Sequence, residues 1–214
     1  MARSRTPSRG PGLGNRDARH DSAYQRAKAE GFAARAVFKL QELDRKFKLL
    51  GPGRRVLDLG CWPGSWMQYA ADRVGAEGFV LGLDLKPVEI ALPSWTESRI
   101  ADVEELDAAA LVAEHGPFDT VISDMAPHTT GDKHSDQFRS EALCERALVI
   151  ARTVLRPGGH FTAKVFQGGG FAKLLAEVRA AFGEGRAVHT EATRAGSREQ
   201  YLVGRGLEAR ARLG

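Results

Sequence analysis

Short apolar runs alternate with helical patterns along most of this chain. The runs Arg55–Leu59, Phe79–Leu83 and Phe118–Ser123 are largely apolar at successive positions, as in strands that are buried on both faces of a parallel sheet. Between them, apolar residues recur with the spacing of one helix face, and clusters such as Gly51-Pro52-Gly53 separate the segments. We therefore expect strands and helices to alternate along most of the chain.

The pattern can be written as seven strands and six helices. The predicted strands are Arg55–Leu59, Phe79–Leu83, Ser98–Ala101, Phe118–Ser123, His160–Val165, Ala187–Thr190 and Glu199–Val203. The predicted helices are Asp21–Gly31, Arg35–Phe47, Trp66–Val74, Asp107–Glu114, Gln137–Leu155 and Phe171–Phe182, with Arg156–Gly159 as a break. This order predicts an α/β, Rossmann-like fold, in which a mostly parallel seven-stranded sheet carries helices on both faces. Ligands of such sheets bind at the carboxyl ends of the strands.

The composition predicts a single domain that is preceded by a basic arm. The 214 residues are 43% hydrophobic, which suits a single domain over residues 21–214. The net charge of +4 is matched by residues 1–20 alone, where five arginines face one aspartate. Such an arm suggests either a polyanionic partner, above all RNA, or a solubilising tail without a partner.

Several classes of protein are disfavoured by what the sequence lacks. Cys61 and Cys144 lie far apart and form no zinc-ligand pattern, so we expect no metal, no disulfide framework and a cytoplasmic location. No apolar run is long enough to cross a membrane, and the basic N-terminus lacks the apolar core of a secretory signal.

The turn after the first strand is the first candidate site. It reads Asp58-Leu-Gly-Cys-Trp-Pro-Gly-Ser-Trp66, and its two glycines, Gly60 and Gly64, let the backbone turn tightly and approach a ligand. The turn is neither a GxGxxG dinucleotide motif nor a phosphate-binding P-loop. A nicotinamide oxidoreductase is therefore a weak alternative.

Two acids follow the next two strands. Asp84 lies where a carboxylate would accept hydrogen bonds from ribose hydroxyls, and Asp102 lies where one could accept from an adenine amino group. Each could instead be a helix N-cap. As an ordered set with the glycine turn, they favour a site for an adenosyl group. Trp62 and Trp95 could stack on a base or adenine, or could pack in the core or a loop.

Five motifs in order resemble the FtsJ/RrmJ-type family of RNA ribose 2′-O-methyltransferases. They are Phe38-Lys-Leu40, the loop Asp58–Gln68, Ser123-Asp-Met-Ala-Pro127, Lys164-Val-Phe-Gln-Gly168 and Ser197-Arg-Glu-x-Tyr201. The likeness spans about residues 23–203 and implies S-adenosylmethionine as cofactor. One departure is Ser65, where the family usually has a second glycine, and it adds a side chain beside the methionine part of the cofactor.

The resemblance also implies residue roles. Gly64 and Trp66 would contact the cofactor, Asp84 its ribose and Asp102 its adenine, while Asp124 would lie near the methyl donor. We assign to the cofactor site the residues Asp58, Gly60, Gly64, Trp66, Asp84, Asp102 and Asp124. Lys39, Asp124, Lys164 and Glu199 match the family's catalytic tetrad.

In this tetrad Lys164 is either a general base or a group that orients the ribose hydroxyl. A lysine acts as a base only when desolvation or a neighbouring cation lowers its pKa, and Lys39 could be that cation or could hold a phosphate. Asp124 is expected to orient Lys164, and Glu199 to hold the lysines in place. Taken alone, each of these side chains could be a surface ion-pair partner. That alternative is favoured for Lys39, which lies on a helix, and disfavoured for Lys164, which interrupts an otherwise apolar strand.

The loop at Asp124-Met-Ala-Pro127 indicates the acceptor. Enzymes that methylate base amines often carry Asn/Asp-Pro-Pro-aromatic here, so this sequence favours an oxygen acceptor. The compact length most resembles enzymes that methylate a uridine of 23S rRNA in the large ribosomal subunit. Alternatives are a tRNA or mitochondrial rRNA methyltransferase and a non-catalytic RNA-binding factor of ribosome assembly. We expect a monomer with RNA as partner and no membrane association.

Overall fold

A computed structural model describes residues 23–193 and 196–213 of the chain. The basic arm, residues 1–20, lies outside the described residues. A first helical segment, α1, covers residues 23–29. The other helices are α2 (Val37–Phe47), α3 (Ser65–Val74), α4 (Ala108–His115), α5 (Lys133–Val154) and α6 (Phe171–Ala181). The strands are β1 (Arg55–Leu59), β2 (Phe79–Asp84), β3 (Thr96–Ile100), β4 (Phe118–Ser123), β5 (Leu155–Phe166), β6 (Phe182–Val188) and β7 (Glu199–Leu207).

The seven strands form one sheet in the order β3-β2-β1-β4-β5-β7-β6. All neighbouring pairs from β3 to β5 are parallel, and β7 runs antiparallel between β5 and β6. The predicted α/β fold with a mostly parallel seven-stranded sheet is thus confirmed. The chain leaves β1 first toward β2 and later returns on its other side as β4. Beside β1 the strand order therefore reverses, which is where such sheets bind ligands.

Helices cover both faces, and each face has its own apolar core. One core packs α2 and α3 on the sheet through residues such as Leu40, Met67 and Ile122. The other packs α4, α5 and α6 through residues such as Leu111, Leu148 and Leu174. Because side chains alternate along a strand, every strand residue can be assigned to one of these two faces.

Several element boundaries differ from those expected. The Arg156–Gly159 segment, expected to be a break, lies inside β5, where Gly158 has a φ of +82° and the pairing with β4 shifts its register. A bulge absorbs these residues without ending the strand. The strand expected at Ala187–Thr190 is β6, which begins earlier, at Phe182, and is largely exposed because it is an edge strand.

The N-terminal end of α5 was also expected later. The helix begins at Lys133, where the Asp132 carboxylate caps it by accepting a hydrogen bond from Ser135 N–H at 3.0 Å. Its first turn is polar, so it carries no apolar periodicity. In the part of the chain that the structure describes, none of the helices combines the length and apolar character needed to span a membrane. Cys61 and Cys144 are buried free thiols.

Candidate active site

Strand alternation places four functional side chains on one face of the sheet. On β5, Phe161, Ala163 and Val165 belong to the core beneath α5 and α6, so Lys164 points to the opposite face, which α2 and α3 cover. On β7, Tyr201 lies in that second core and is paired directly with Lys164. Glu199, two residues from Tyr201, shares its face. The helix over this face, α2, carries Lys39.

Lys164 and Asp124 form the first ion pair of the site. Lys164 Nζ donates to the main-chain oxygen of Asp124 at 2.6 Å and lies 3.2 Å from its Oδ1. The Lys164 side chain is only 7% exposed. A lysine is seldom buried to this extent without a paired partner. The expected orientation of Lys164 by Asp124 is therefore present in the geometry.

Lys39 and Glu199 form the second ion pair. Lys39 Nζ lies 2.6 Å from Glu199 Oε1, and both side chains are largely buried. Glu199 Oε1 also accepts a hydrogen bond from Thr193 Oγ1 at 3.0 Å. Glu199 was expected to hold both lysines, and the ion pair that it forms within 4.0 Å is with Lys39. The four predicted tetrad residues thus meet as two pairs.

Tyr201 joins the two pairs and was not assigned a role from the sequence. Its hydroxyl donates to Asp124 Oδ1 at 2.6 Å, and Lys39 Nζ lies 5.8 Å from its ring centroid. Burial, together with the charges of Asp124 and Glu199, raises the pKa of Tyr201 well above its ordinary value, so the phenol stays neutral. The sequence could have predicted that Tyr201 lies beside Glu199, because residues two positions apart on a strand share one face.

The glycine turn between β1 and α3 has the backbone that only glycine adopts readily. Gly60 has a φ of +80° and Gly64, the N-cap of α3, a φ of +108°. A Cβ at Gly60 would lie 2.5 Å from Met125 Cγ, and one at Gly64 would lie 2.6 Å from Ile90 Cδ1. The tight turn expected at both glycines is confirmed. Ser65 is accommodated as the first, buried residue of α3.

Asp84 connects the ends of β1 and β2. Its Oδ2 accepts a hydrogen bond from Trp62 N–H and its Oδ1 one from Lys86 N–H, both at 2.9 Å. Asp102 is exposed beyond the end of β3, and its Oδ1 accepts from Glu104 N–H at 2.9 Å. Neither acid caps a helix, since the N-cap of α4 is Asp107. Both carboxylates therefore lie at the ligand-binding edge of the sheet.

Trp66 and Asp58 are placed more deeply than the other residues of the predicted cofactor site. The Trp66 indole N–H donates to Ala36 O at 2.8 Å, and its ring centroid lies 6.0 Å from that of Tyr201. Asp58 is fully buried, and neither carboxylate oxygen has a hydrogen-bond partner among the described residues. Burial raises its pKa well above the ordinary value, and the nearby charges of Asp124 and Asp84 add to the shift.

The fold and this edge define the class of protein as a Rossmann-like α/β protein with a candidate ligand site at the ends of its central strands. Residues 32–207 match the model of the FtsJ-like methyltransferase family. A relative from Syntrophobacter fumaroxidans, named ribosomal RNA large subunit methyltransferase E, is 49% identical over 86% of this chain and 94% of its own. A protein of the same name from Bdellovibrio bacteriovorus is 48% identical over 86% of this chain and 95% of its own. The chain belongs to the FtsJ-like methyltransferase family.

A solved structure supports the fold independently. The crystal structure of a ribosomal RNA methyltransferase from Plasmodium falciparum superposes with a TM-score of 0.69 at 24% identity. The match covers 82% of this chain and 98% of the other. At this identity the likeness concerns the fold alone.

Proposed function

We propose that the protein transfers a methyl group from S-adenosylmethionine to the ribose 2′-hydroxyl of a uridine in 23S rRNA of the large ribosomal subunit. The observation that carries this proposal is the convergence of Lys39, Asp124, Lys164 and Glu199 into two buried ion pairs beside the glycine turn. The names of the curated relatives point to large-subunit rRNA as the substrate class.

The residues at the ends of β1, β2 and β3 fit an adenosyl cofactor. When bound, S-adenosylmethionine supplies a methyl group on a positively charged sulfur, which is a good electrophile. The Asp84 and Asp102 carboxylates are held by main-chain N–H groups and keep lone pairs for ribose hydroxyls and an adenine amine. Gly60 and Gly64 allow the tight turn that brings the backbone to this edge of the sheet, where the methionine part would lie.

Lys164 is the side chain that meets the acceptor hydroxyl. An ammonium has three N–H groups, and two acceptors on Asp124 leave a third donor for the ribose oxygen. Holding that oxygen in line with the methyl carbon removes the entropic cost of alignment. The bound cofactor would supply the methyl group and would be released as S-adenosylhomocysteine, and the hydroxyl proton would pass to Lys164 or to solvent water. Tyr201 fixes Asp124, and Glu199 fixes Lys39, which is placed to hold the nucleotide's phosphate.

A groove along α1 and α2 carries a small excess of positive charge, which suits an RNA backbone. The groove has a volume of about 510 Å³ and lies along α1, α2 and the segment after β6. Three arginines line it with two glutamates and one aromatic ring: Arg26, Arg35, Arg45, Glu42, Glu191 and Phe38. Phosphate contacts of this kind position an RNA without reading its sequence. We infer that the basic arm, residues 1–20, adds further phosphate contacts to a domain formed by residues 21–214, and that the protein acts as a cytoplasmic monomer.

Methyl transfer to ribosomal particles tests the proposal. Large subunits from cells that lack this activity are incubated with labelled S-adenosylmethionine and either wild type or Lys164→Ala, and the label is mapped to ribose or base. Wild type should label one uridine ribose, and Lys164→Ala should bind S-adenosylhomocysteine but transfer nothing.

Two other results would point to a different function. Label on tRNA would keep the reaction and change the substrate. If wild type binds cofactor and RNA yet labels neither subunits, free rRNA nor tRNA, the proposed enzyme activity fails, and a non-catalytic assembly factor becomes the better hypothesis.

A further inference from the structure

Apolar side chains are exposed at the carboxyl ends of three adjacent strands. Trp62 follows β1, Leu85 follows β2 and Ile100 ends β3, and their exposures are 50%, 67% and 66%. They are three of six large hydrophobic residues that are exposed in the described part of the chain. Asp84 is paired directly with Ile100 across the sheet. Half of the exposed large hydrophobic residues therefore surround the acids of the cofactor site.

Trp62 differs from the other two tryptophans in being left out of the cores. Trp66 is buried against α2, and Trp95 packs against the core beneath α3 and donates its indole N–H to Ala71 O at 3.1 Å. Of the two roles open to Trp62 and Trp95 from the sequence, Trp95 thus has the packing role. Trp62 presents half of its surface to solvent, although an indole gains much by burial against a ligand.

Lys86 holds the Trp62 ring beside Asp84. Lys86 Nζ lies 4.4 Å from the centroid of the ring, a cation–π contact. The main-chain N–H groups of Trp62 and Lys86 both donate to the Asp84 carboxylate, one to each oxygen. One acid therefore fixes both segments that carry the pair, and the ring is preorganised at the edge where Asp84 is placed to meet ribose hydroxyls.

We propose that Trp62 and Lys86 form a wall of the cofactor site, in which the indole ring packs against the adenosyl ribose held by Asp84. The proposal rests on the proposed function, because it takes the ligand to be an adenosyl group. The RNA ribose is expected at Lys164, on β5, whereas Trp62 lies on the other side of β1, beside β2. The position of the ring therefore favours the cofactor over the RNA as its partner.

Binding of S-adenosylhomocysteine to variants of the pair measures this contact. Trp62→Ala should raise the dissociation constant roughly tenfold, because that factor corresponds to the loss of one aromatic contact. Trp62→Phe keeps an aromatic ring and should recover part of the lost affinity. Lys86→Ala should raise it by a smaller factor. Matched controls are Tyr24→Ala, a residue of α1 with 54% exposure, and Lys173→Ala on α6, with 71% side-chain exposure. Both controls should bind as wild type does.

Intrinsic tryptophan fluorescence distinguishes direct contact with the ligand from a purely structural role of Trp62. S-adenosylhomocysteine should shift the emission of wild type and protect it from acrylamide quenching, and Trp62→Phe should abolish both effects while still binding. If wild type binds no S-adenosylhomocysteine, the proposed function fails. If wild type binds and Trp62→Ala binds equally well, the wall is refuted. An unchanged cofactor affinity with a raised KM for RNA would also refute it and would assign Trp62 to the RNA.

Discussion

The two halves of the site use different means to place their functional groups. We call the ends of β4 and β5 with the start of β7 the catalytic half, after the role proposed for it. Side chains there hold one another: Lys164 with Asp124, Lys39 with Glu199, and Tyr201 between the pairs. We call the ends of β1, β2 and β3 the cofactor half, again after its proposed role. The backbone dominates there, through two glycines with positive φ and acids held by main-chain N–H groups.

The two halves also differ in the solvent exposure of their side chains. The four charged side chains of the catalytic half are between 7% and 17% exposed, whereas Asp102, Leu85 and half of Trp62 face solvent. Buried and mutually bonded groups are preorganised, so they need little rearrangement when charge develops in a reaction. An open half suits a ligand that must enter and leave in each turnover. We therefore expect substitutions in the catalytic half to lower kcat, and substitutions in the cofactor half to weaken cofactor binding.

The largest expected effect comes from Lys164→Ala. Removing the group that meets the acceptor hydroxyl should lower kcat by roughly 10³-fold, a usual size for a lost proton-transfer or orienting group. The dissociation constant of S-adenosylhomocysteine should stay within about twofold of wild type, since Lys164 belongs to the catalytic half. Single-turnover methyl transfer and calorimetric titration measure the two quantities.

Lys173→Ala, an exposed lysine on α6, controls for loss of charge and should keep full activity. A large loss of cofactor affinity in Lys164→Ala would show that the two halves are not separable.

Gly64→Ala should have the next largest effect, and it should act on the other half. The φ of +108° and the short distance to Ile90 cost roughly 2 kcal/mol, which converts to about a 30-fold weaker binding of S-adenosylhomocysteine if the turn moves to relieve the strain. The control is Gly116→Ala, at the C-cap of α4, which has a φ of +72° and open space around the added Cβ. It should lose stability but keep cofactor affinity. Equal losses of affinity in both variants would contradict a local role for Gly64.

The sequence was sufficient for the fold because the central strands follow a simple pattern, whereas the tetrad was proposed from motifs that resemble those of a known family. Successive apolar positions marked the central strands, and Lys164 was visible as a polar residue within an apolar strand. Edge strands were harder, since β6 buries mainly its two ends and looks like a loop. The bulge at Gly158 depends on how β5 pairs with β4, which no local pattern encodes.

The connections within the site were also beyond the sequence. Motifs led us to expect that Glu199 holds both lysines, but not that its ion pair is with Lys39, 160 positions earlier, while Lys164 pairs with Asp124. The acids were ambiguous between ligand binding and helix capping, and the structure excludes capping because β3 follows Asp84 and the N-cap of α4 is Asp107. The role of Tyr201 needed the register of β5 and β7 as well as the alternation of side chains.

Tyr201→Phe tests how far the catalytic half depends on its internal hydrogen bonds. Losing the phenol O–H that donates to Asp124 should lower kcat about tenfold, because a hydrogen bond to a charged group contributes roughly 1.5 kcal/mol. Cofactor affinity should be unchanged. The matched control is Tyr69→Phe, which removes a similar hydrogen bond to Asp44 at 3.0 Å between α3 and α2. Both variants should lose stability, and a full rate in Tyr201→Phe would show that Asp124 needs no such support.

Asp58→Asn should have the smallest effect of the four substitutions. It tests a buried carboxylate on which the charges of Asp84, in the cofactor half, and Asp124, in the catalytic half, both act. Burial first, then Asp124 and Asp84, raise the pKa of Asp58 in the folded protein, so above about pH 4 the unfolded chain releases a proton that the folded one retains. The free energy of unfolding should therefore fall as pH rises from about 4 toward the folded-state pKa. Asp58→Asn carries no such proton, and its stability relative to wild type should increase with pH. Urea denaturation at pH 5 and pH 8 measures this difference, with the exposed Asp72→Asn as control. A difference that stays constant between the two pH values would mean that Asp58 ionises alike in both states.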